Sequence, residues 1–251
     1  MRSGRLWGKK EAHCADDDDP SEYGDHWDHV ALDVESRLVV SLVPGRRTED
    51  KTYELVEDFA RRANGGQPPA LMTSDEYKPY RAALLKTYGV WVVPPRTGRP
   101  GRPRQPYPVP PANLVYAVVH KTRRKGCVVD VQPRCIYGTK QALTAALAAS
   151  PVSQAVNTAF VERVNGTDRH LNARKGRKTY RFSKKVDLHV AQSWLSVTYY
   201  NFCWDHRGLR RQQPDGTFQH RSPAMAAGLS DCILTIHDLT HYQVIRWYPI
   251  A

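Results

Sequence analysis

Alternation of apolar and polar positions is the first signal along this chain. In WDHVALDVESRLVVSLV, residues 27–43, mostly apolar, β-branched segments occupy 30–32 and 38–43 around a short polar-flanked interruption, Val34–Ser36. That pattern predicts two paired strands joined by a tight turn. The period then lengthens. Thr48 is placed to cap a helix, with Asp50 and Lys51 in its first turn. Tyr53, Val56, Phe59 and Ala60 recur on one side until Gly65 and Gly66 stop it. Residues 70–72 read as a short apolar strand in the same sheet as that strand pair, with Asp75 at its C-terminal end, and 80–88 as a helix. The stretch PPRTGRPGRPRQPYPVPPAN, residues 94–113, breaks every period, and its Pro, Gly and Arg content predicts an extended loop. A strand at 114–120, a basic turn at 121–125 and a strand at 127–131 follow. Helices are predicted over 140–149, 152–172 and 183–200, the last capped by Ser183.

The order strand, strand, helix, strand, helix points to an α/β layer fold. We divide the chain into an irregular segment at 1–25, a core domain at 26–205 and a loosely patterned, aromatic tail at 206–251. The run Asp16, Asp17, Asp18 and Asp19 in the first segment suits a solvated loop, because adjacent carboxylates repel.

Charge narrows the partners. The 251 residues hold 37 Lys and Arg against 25 Asp and Glu, a net charge of +12. Such an excess favours a polyanion, here nucleic acid. No apolar run approaches the ~20 residues that span a bilayer, and the N-terminus has no apolar core of the signal-peptide kind. The five cysteines are scattered, with no C-x-x-C pair. They read as reduced thiols of a cytoplasmic protein, with neither a disulfide framework nor a structural zinc.

The positive charge is clustered. One group holds Arg96, Arg99, Arg102, Arg104, Lys121, Arg123, Arg124 and Lys125. A second holds Arg163, Arg169, Arg174, Lys175, Arg177, Lys178, Arg181, Lys184 and Lys185. Concentrated charge costs self-repulsion unless a polyanion neutralises it. GRPGRPR also suits an arm that enters a narrow minor groove. A flexible solvated loop is the plainer reading of the first group.

Two acids stand out against this background. Asp75 lies where a strand meets solvent, the usual position of functional groups in open α/β sheets. A turn or cap acid is the plainer alternative. Glu162, Asn165 and Arg169 fall at i, i+3 and i+7 on one helical face, where they can hold a metal and a phosphate together. On spacing alone, an exposed Glu–Arg helix surface is the preferred reading.

A family resemblance changes that weighting. MTSDEYKPY, then NTAFVERVNGTDRH with RKTYRFSKKVDLH, then YYNFCWDHRGL and SPAMAAGL resemble the catalytic core of insertion-sequence transposases of the IS-one-like group. The likeness runs from Gly8 to about Leu229, and its most specific part is E-R-x-N-x-x-x-R followed by the basic stretch and F-S-K. It implies an RNase H-like mixed sheet flanked by helices, carrying an Asp–Asp–Glu triad. Asp75 matches the second Asp and Glu162 the terminal Glu, both as metal ligands. Asn165 and Arg169 match the helical companions. The family's reaction uses two Mg²⁺ or Mn²⁺ ions for phosphodiester cleavage and strand transfer on duplex DNA, by a homo-oligomer assembled on the element ends. Arg99, Arg102, Arg104, Asn165, Arg169, Arg174, Lys175, Arg177 and Lys178 are the expected DNA contacts, and the nucleoid the expected location.

The resemblance places the first Asp in an Asp-Glu pair just before the G-K-K segment. Here that segment begins at Gly8, and Met1 stands about where the pair should end. We therefore expect a misassigned start or an N-terminally truncated and catalytically impaired copy, without the zinc-binding and helix-turn-helix segments of relatives. Asp33 is the nearest well-placed carboxylate and the secondary candidate, since its segment resembles the family's second strand. The rival readings are a non-catalytic DNA-binding remnant and an RNase H-like nuclease that does not transpose.

Overall fold

The computed structural model describes residues 5–7, 24–95, 104–176, 181, 183 and 185–241. Two three-stranded sheets with helices packed on them form a mixed α/β fold. The first sheet is an antiparallel meander of β1 (Arg5–Trp7), β2 (Gly24–Leu32) and β3 (Val39–Arg46). The polar interruption seen in the sequence is the β2–β3 turn. There the Asp33 N–H donates to the Leu38 carbonyl at 2.8 Å, and the Asp33 carboxylate accepts from the Ser36 N–H at 3.0 Å. An aspartate that bonds the backbone two and three residues on is a turn former.

The second sheet has the order β4 (Met72–Asp75), β7 (Tyr116–Arg124), β8 (Cys127–Tyr137). β4 runs parallel to β7, and β7 and β8 form a hairpin. Two expectations change here. The strand near residue 72 does not bond to the β2–β3 pair. Its ladder partner is β7, reached by the crossover through α2 (Pro79–Tyr88) that a parallel pair needs. The basic segment is also not a five-residue turn. Its residues extend β7 to Arg124, and only Lys125 and Gly126 turn, with φ of +48° and +81°. Two successive left-handed residues make the tight hairpin turn whose twist matches the strands, and Gly126 takes that conformation without a Cβ penalty.

β7 explains the apolar run around residues 114–119. Leu114, Tyr116 and Val118 pack on one face with Val56 and Ala60 of α1 (Glu49–Arg62) and with Ala83, Leu84 and Tyr88 of α2. Val115 and Ala117 face the other way, toward Leu143 of α3 (Lys140–Ala149). A strand covered on both faces needs apolar residues at every position. A third cluster joins Val39 and Leu42 of β3 to Val164 of α4 (Ala159–Leu171) and to Val197 and Tyr200 of α5 (Val186–Phe202). Asn201 fixes that contact. Its side-chain amide both accepts from and donates to the Val39 backbone, at 3.0 and 2.9 Å.

Several boundaries shift. Helix α1 starts on Thr48 as the sequence predicts, with Glu49 and Asp50 in its first turn and Arg61 and Arg62 in its last. Helix α4 starts at Ala159 rather than at 152. The hydroxyls of Ser150 and Ser153 take the nearby N–H groups of Val152 and Ala155, offering the backbone an alternative to helix. Helix α5 starts at Val186, with Ser183 buried ahead of it. Within the predicted loop, β6 (Tyr107–Val109) pairs with β5 (Val90–Val92). The tail is also more ordered than its pattern suggests: β9 (Arg211–Gln212) and β10 (Phe218–Gln219) pair, and α6 (Pro223–Ala226) and α7 (Ile236–His241) follow. Ser222 caps α6, and Pro223 occupies its first position. Among the described residues, no helix is long and apolar enough to cross a membrane.

Candidate functional site

Asp75 is the last residue of β4, in register with Val119 of β7. Alternation puts Thr73 and Asp75 on one face of the strand and Ser74 and Glu76 on the other. Thr73 donates to the carbonyl of Asn157 at 3.5 Å, so the approach to α4 lies over the Asp75 face. Lys121, two positions past Val119, donates from Nζ to Glu162 Oε1 at 3.1 Å. The Thr158 hydroxyl donates to the same oxygen at 2.9 Å. Asp75 thus ends β4 beside Val119, and Glu162 of α4 is tied to Lys121, two positions further along the same strand β7. Glu162 is about half exposed, its side chain 46 % accessible.

The opposite face of that strand end is paired differently. Glu76 accepts from His120 Nδ1 at 2.5 Å and from Arg134 at 3.1 Å. The hydrogen bond from His120, then the nearby cations, hold its carboxyl below the usual range. Beyond Glu76 a small cleft is lined by Trp27, Asp28, His29, Arg47, Tyr77 and Tyr80. The Arg47 guanidinium sits 4.1 Å from the Tyr77 ring and 4.8 Å from the Trp27 ring. Burial pushes the Tyr80 phenol well above its usual range, and the negative charge of Asp75 adds to the shift.

Behind the cleft lies a buried ionic cluster. Lys175 is 1 % exposed and its ammonium bridges two carboxylates, Asp28 at 2.9 Å and Asp168 at 2.8 Å. His189 of α5 reaches the other Asp28 oxygen with Nε2 at 3.1 Å. Burial works to raise the Asp28 pKa. The hydrogen bond from His189 and the charge of Lys175 outweigh it and hold the group well below the ordinary carboxylate range. Three elements, β2, the end of α4 and α5, are tied at this point.

Burial corrects two expected DNA contacts, Lys175 and Asn165. Lys175 is enclosed by Asp28 and Asp168 and does not face a phosphate. Asn165 is buried at 6 % exposure on the core side of α4, beside Val164. Arg104 and Arg174 are exposed and Arg169 is half-buried. Arg99, Arg102, Arg177 and Lys178 lie outside the described residues. Asp33 is engaged in the β2–β3 turn. The Glu35 and Ser36 N–H groups and the Ser36 hydroxyl occupy its carboxylate in the β2–β3 turn. Arg37 in that turn stacks 3.8 Å from the Phe160 ring.

Sequence reasoning missed Asp28 and His189. The available signal was a carboxylate between Trp27 and His29 in a strand, at a position whose alternation with Val30 points inward. Cys127, Cys135, Cys203 and Cys232 are free thiols, as their scatter suggests. No family model matches the sequence, and neither a curated protein nor a solved structure matches it.

Proposed function

We propose that the chain is the catalytic core of a DDE-type transposase, an RNase H-like domain that binds duplex DNA and cuts and joins its strands. One observation carries the reading: the strand-end aspartate Asp75 is in register with Val119 of β7, and the helical glutamate Glu162 bonds Lys121, two positions along that strand. The element order supports it, with an antiparallel meander, a helix, a parallel strand pair and then the acid-bearing helix. The net charge of +12 supports a DNA partner. On this reading the chain acts at the nucleoid, as a homo-oligomer on DNA.

The cofactor implied is Mg²⁺ or Mn²⁺, which would supply charge stabilisation at a phosphodiester. Two carboxylates are donors of the right hardness. Among the described residues, however, no group of three or more His, Cys, Asp or Glu side chains is placed to hold a metal. The described residues therefore do not fit a two-ion site. What they provide is an acidic pair whose glutamate is oriented by Thr158 and neutralised by Lys121.

The test is nicking of supercoiled plasmid in Mg²⁺ or Mn²⁺ alongside duplex binding. Weak nicking by the chain, lost in both Asp75→Asn and Glu162→Gln while binding persists, is the expected result. Undiminished nicking in both variants would sink the assignment. The incomplete ligand set favours a second reading, a DNA-binding remnant, which shows binding with no nicking. Nicking without any strand transfer would instead identify a nuclease.

A further inference from the structure

We infer that the outer half of the β7–β8 hairpin is an arm that grips duplex DNA beside the Asp75–Glu162 pair, with Arg123, Arg124 and Lys125 as phosphate contacts. This rests on the reading of the chain as a DNA-binding protein, and adds a surface to it. The hairpin changes character along its length. β7 is buried from Tyr116 to Val119 and exposed from Thr122 to Arg124. β8 is exposed from Cys127 through Cys135. The outer part is a ribbon of two strands with neither face covered. A two-stranded ribbon fits the ~12 Å width of the B-DNA major groove.

Charge identifies the occupant. The arm carries Lys121, Arg123, Arg124, Lys125 and Arg134 against the single acid Asp130. The two cations at its base are engaged, Lys121 by Glu162 and Arg134 by Glu76. Arg123, Arg124 and Lys125 at the tip make no ion pair among the described residues. The cations at the tip favour a polyanion over a second copy pairing along β8 through exposed Val128, Val129 and Val131.

Position ties the arm to the acidic pair. Val119 is the ladder partner of Asp75, and Arg124 lies five residues further along the strand. At ~3.3 Å per residue the tip stands roughly 16 Å beyond Asp75. A duplex laid across the carboxylates would meet it within about half of a ~34 Å helical turn.

The experiment measures affinity for a short mixed-sequence duplex between about 50 and 200 mM salt. It uses the full chain, the triple variant Arg123→Ala, Arg124→Ala, Lys125→Ala, and a charge-keeping Arg123→Lys, Arg124→Lys variant. Each phosphate contact contributes about 0.9 to the slope of log affinity against log salt, so the triple variant should flatten it by about 2–3. The lysine variant should keep the slope, and thermal melts of all three should coincide, because the substituted side chains are exposed. A salt-sensitive wild type whose slope survives the triple substitution overturns the arm alone. A wild type that ignores duplex overturns both readings. A dimer that dissociates in the triple variant, with its slope unchanged, identifies β8 as a self-pairing edge and also overturns the proposal.

Discussion

Lys175→Met should lower the unfolding free energy by about 3–5 kcal/mol, because it leaves buried carboxylates without their cation. For a chain of this size that is a fall of roughly 6–20 °C in thermal midpoint. The ammonium is 1 % exposed and lies within 2.9 Å of both Asp28 and Asp168. Water cannot replace it without opening the contact between β2 and α5. Removing all the charge should cost far less than removing one member. Combining Lys175→Met with Asp28→Leu and Asp168→Leu should recover much of the loss, since well-packed apolar groups often substitute for a buried pair. Urea titrations of the two variants would decide. Equal stability of Lys175→Met and the wild type would show that the cluster is open to solvent.

The same cluster sets an acid limit. The Asp28 pKa is depressed in the fold, so its contribution is complete above the unfolded carboxylate value of about 4. It is lost as pH falls from there toward the folded value. The wild type should therefore lose stability progressively below about pH 4, with Asp28→Asn showing a shallower decline over that window. An identical pH profile in that variant would assign acid unfolding to other carboxylates.

On the proposed transposase reading, an added segment that brings a third carboxylate to Asp75 and Glu162 should raise plasmid cleavage by about a hundredfold or more, the scale set by several kcal/mol of charge stabilisation. The expectation follows from the short acidic set. Among the described residues, neither Asp75 nor Glu162 belongs to a group of three potential metal ligands. The described part of β1, Arg5–Trp7, pairs with β2. Asp33→Ala should leave cleavage unchanged in both forms, because the Asp33 carboxylate is held by the Glu35 and Ser36 N–H groups. It should cost only about 1 kcal/mol of stability, the value of a local side-chain bond. Strong cleavage by the chain as given, abolished by Asp33→Ala, would instead make Asp33 the third ligand. No gain from the added segment would remove the main support for the triad.

What the sequence made legible was what short-range pattern encodes. The β2–β3 pair and α1 are written in alternation, a Thr cap and a helical period, and each appears where those signals put it. Asp75 was legible because a polar residue ending an apolar strand is itself a local pattern. Long-range pairing was not. Which strand β4 would join depends on a crossover, and its own four residues carry no trace of that choice. Lys175 looked like one more cation in a basic run, since its burial is decided by Asp28, far away in β2. The β5–β6 pair was hidden because three strand residues sit inside a segment dominated by proline, glycine and arginine.

The Asn201 clamp on Val39 has a consequence for synthesis on the ribosome. The two residues are 162 positions apart. At roughly 5–20 residues per second, α5 emerges on the order of ten to thirty seconds after β3. For that interval the β3 face bearing Val39 and Leu42, which α4 and α5 finally cover, waits without its cover. The nascent chain thus presents apolar strand surface well before it can be closed. That makes this meander the segment for which a holding chaperone would compete during translation.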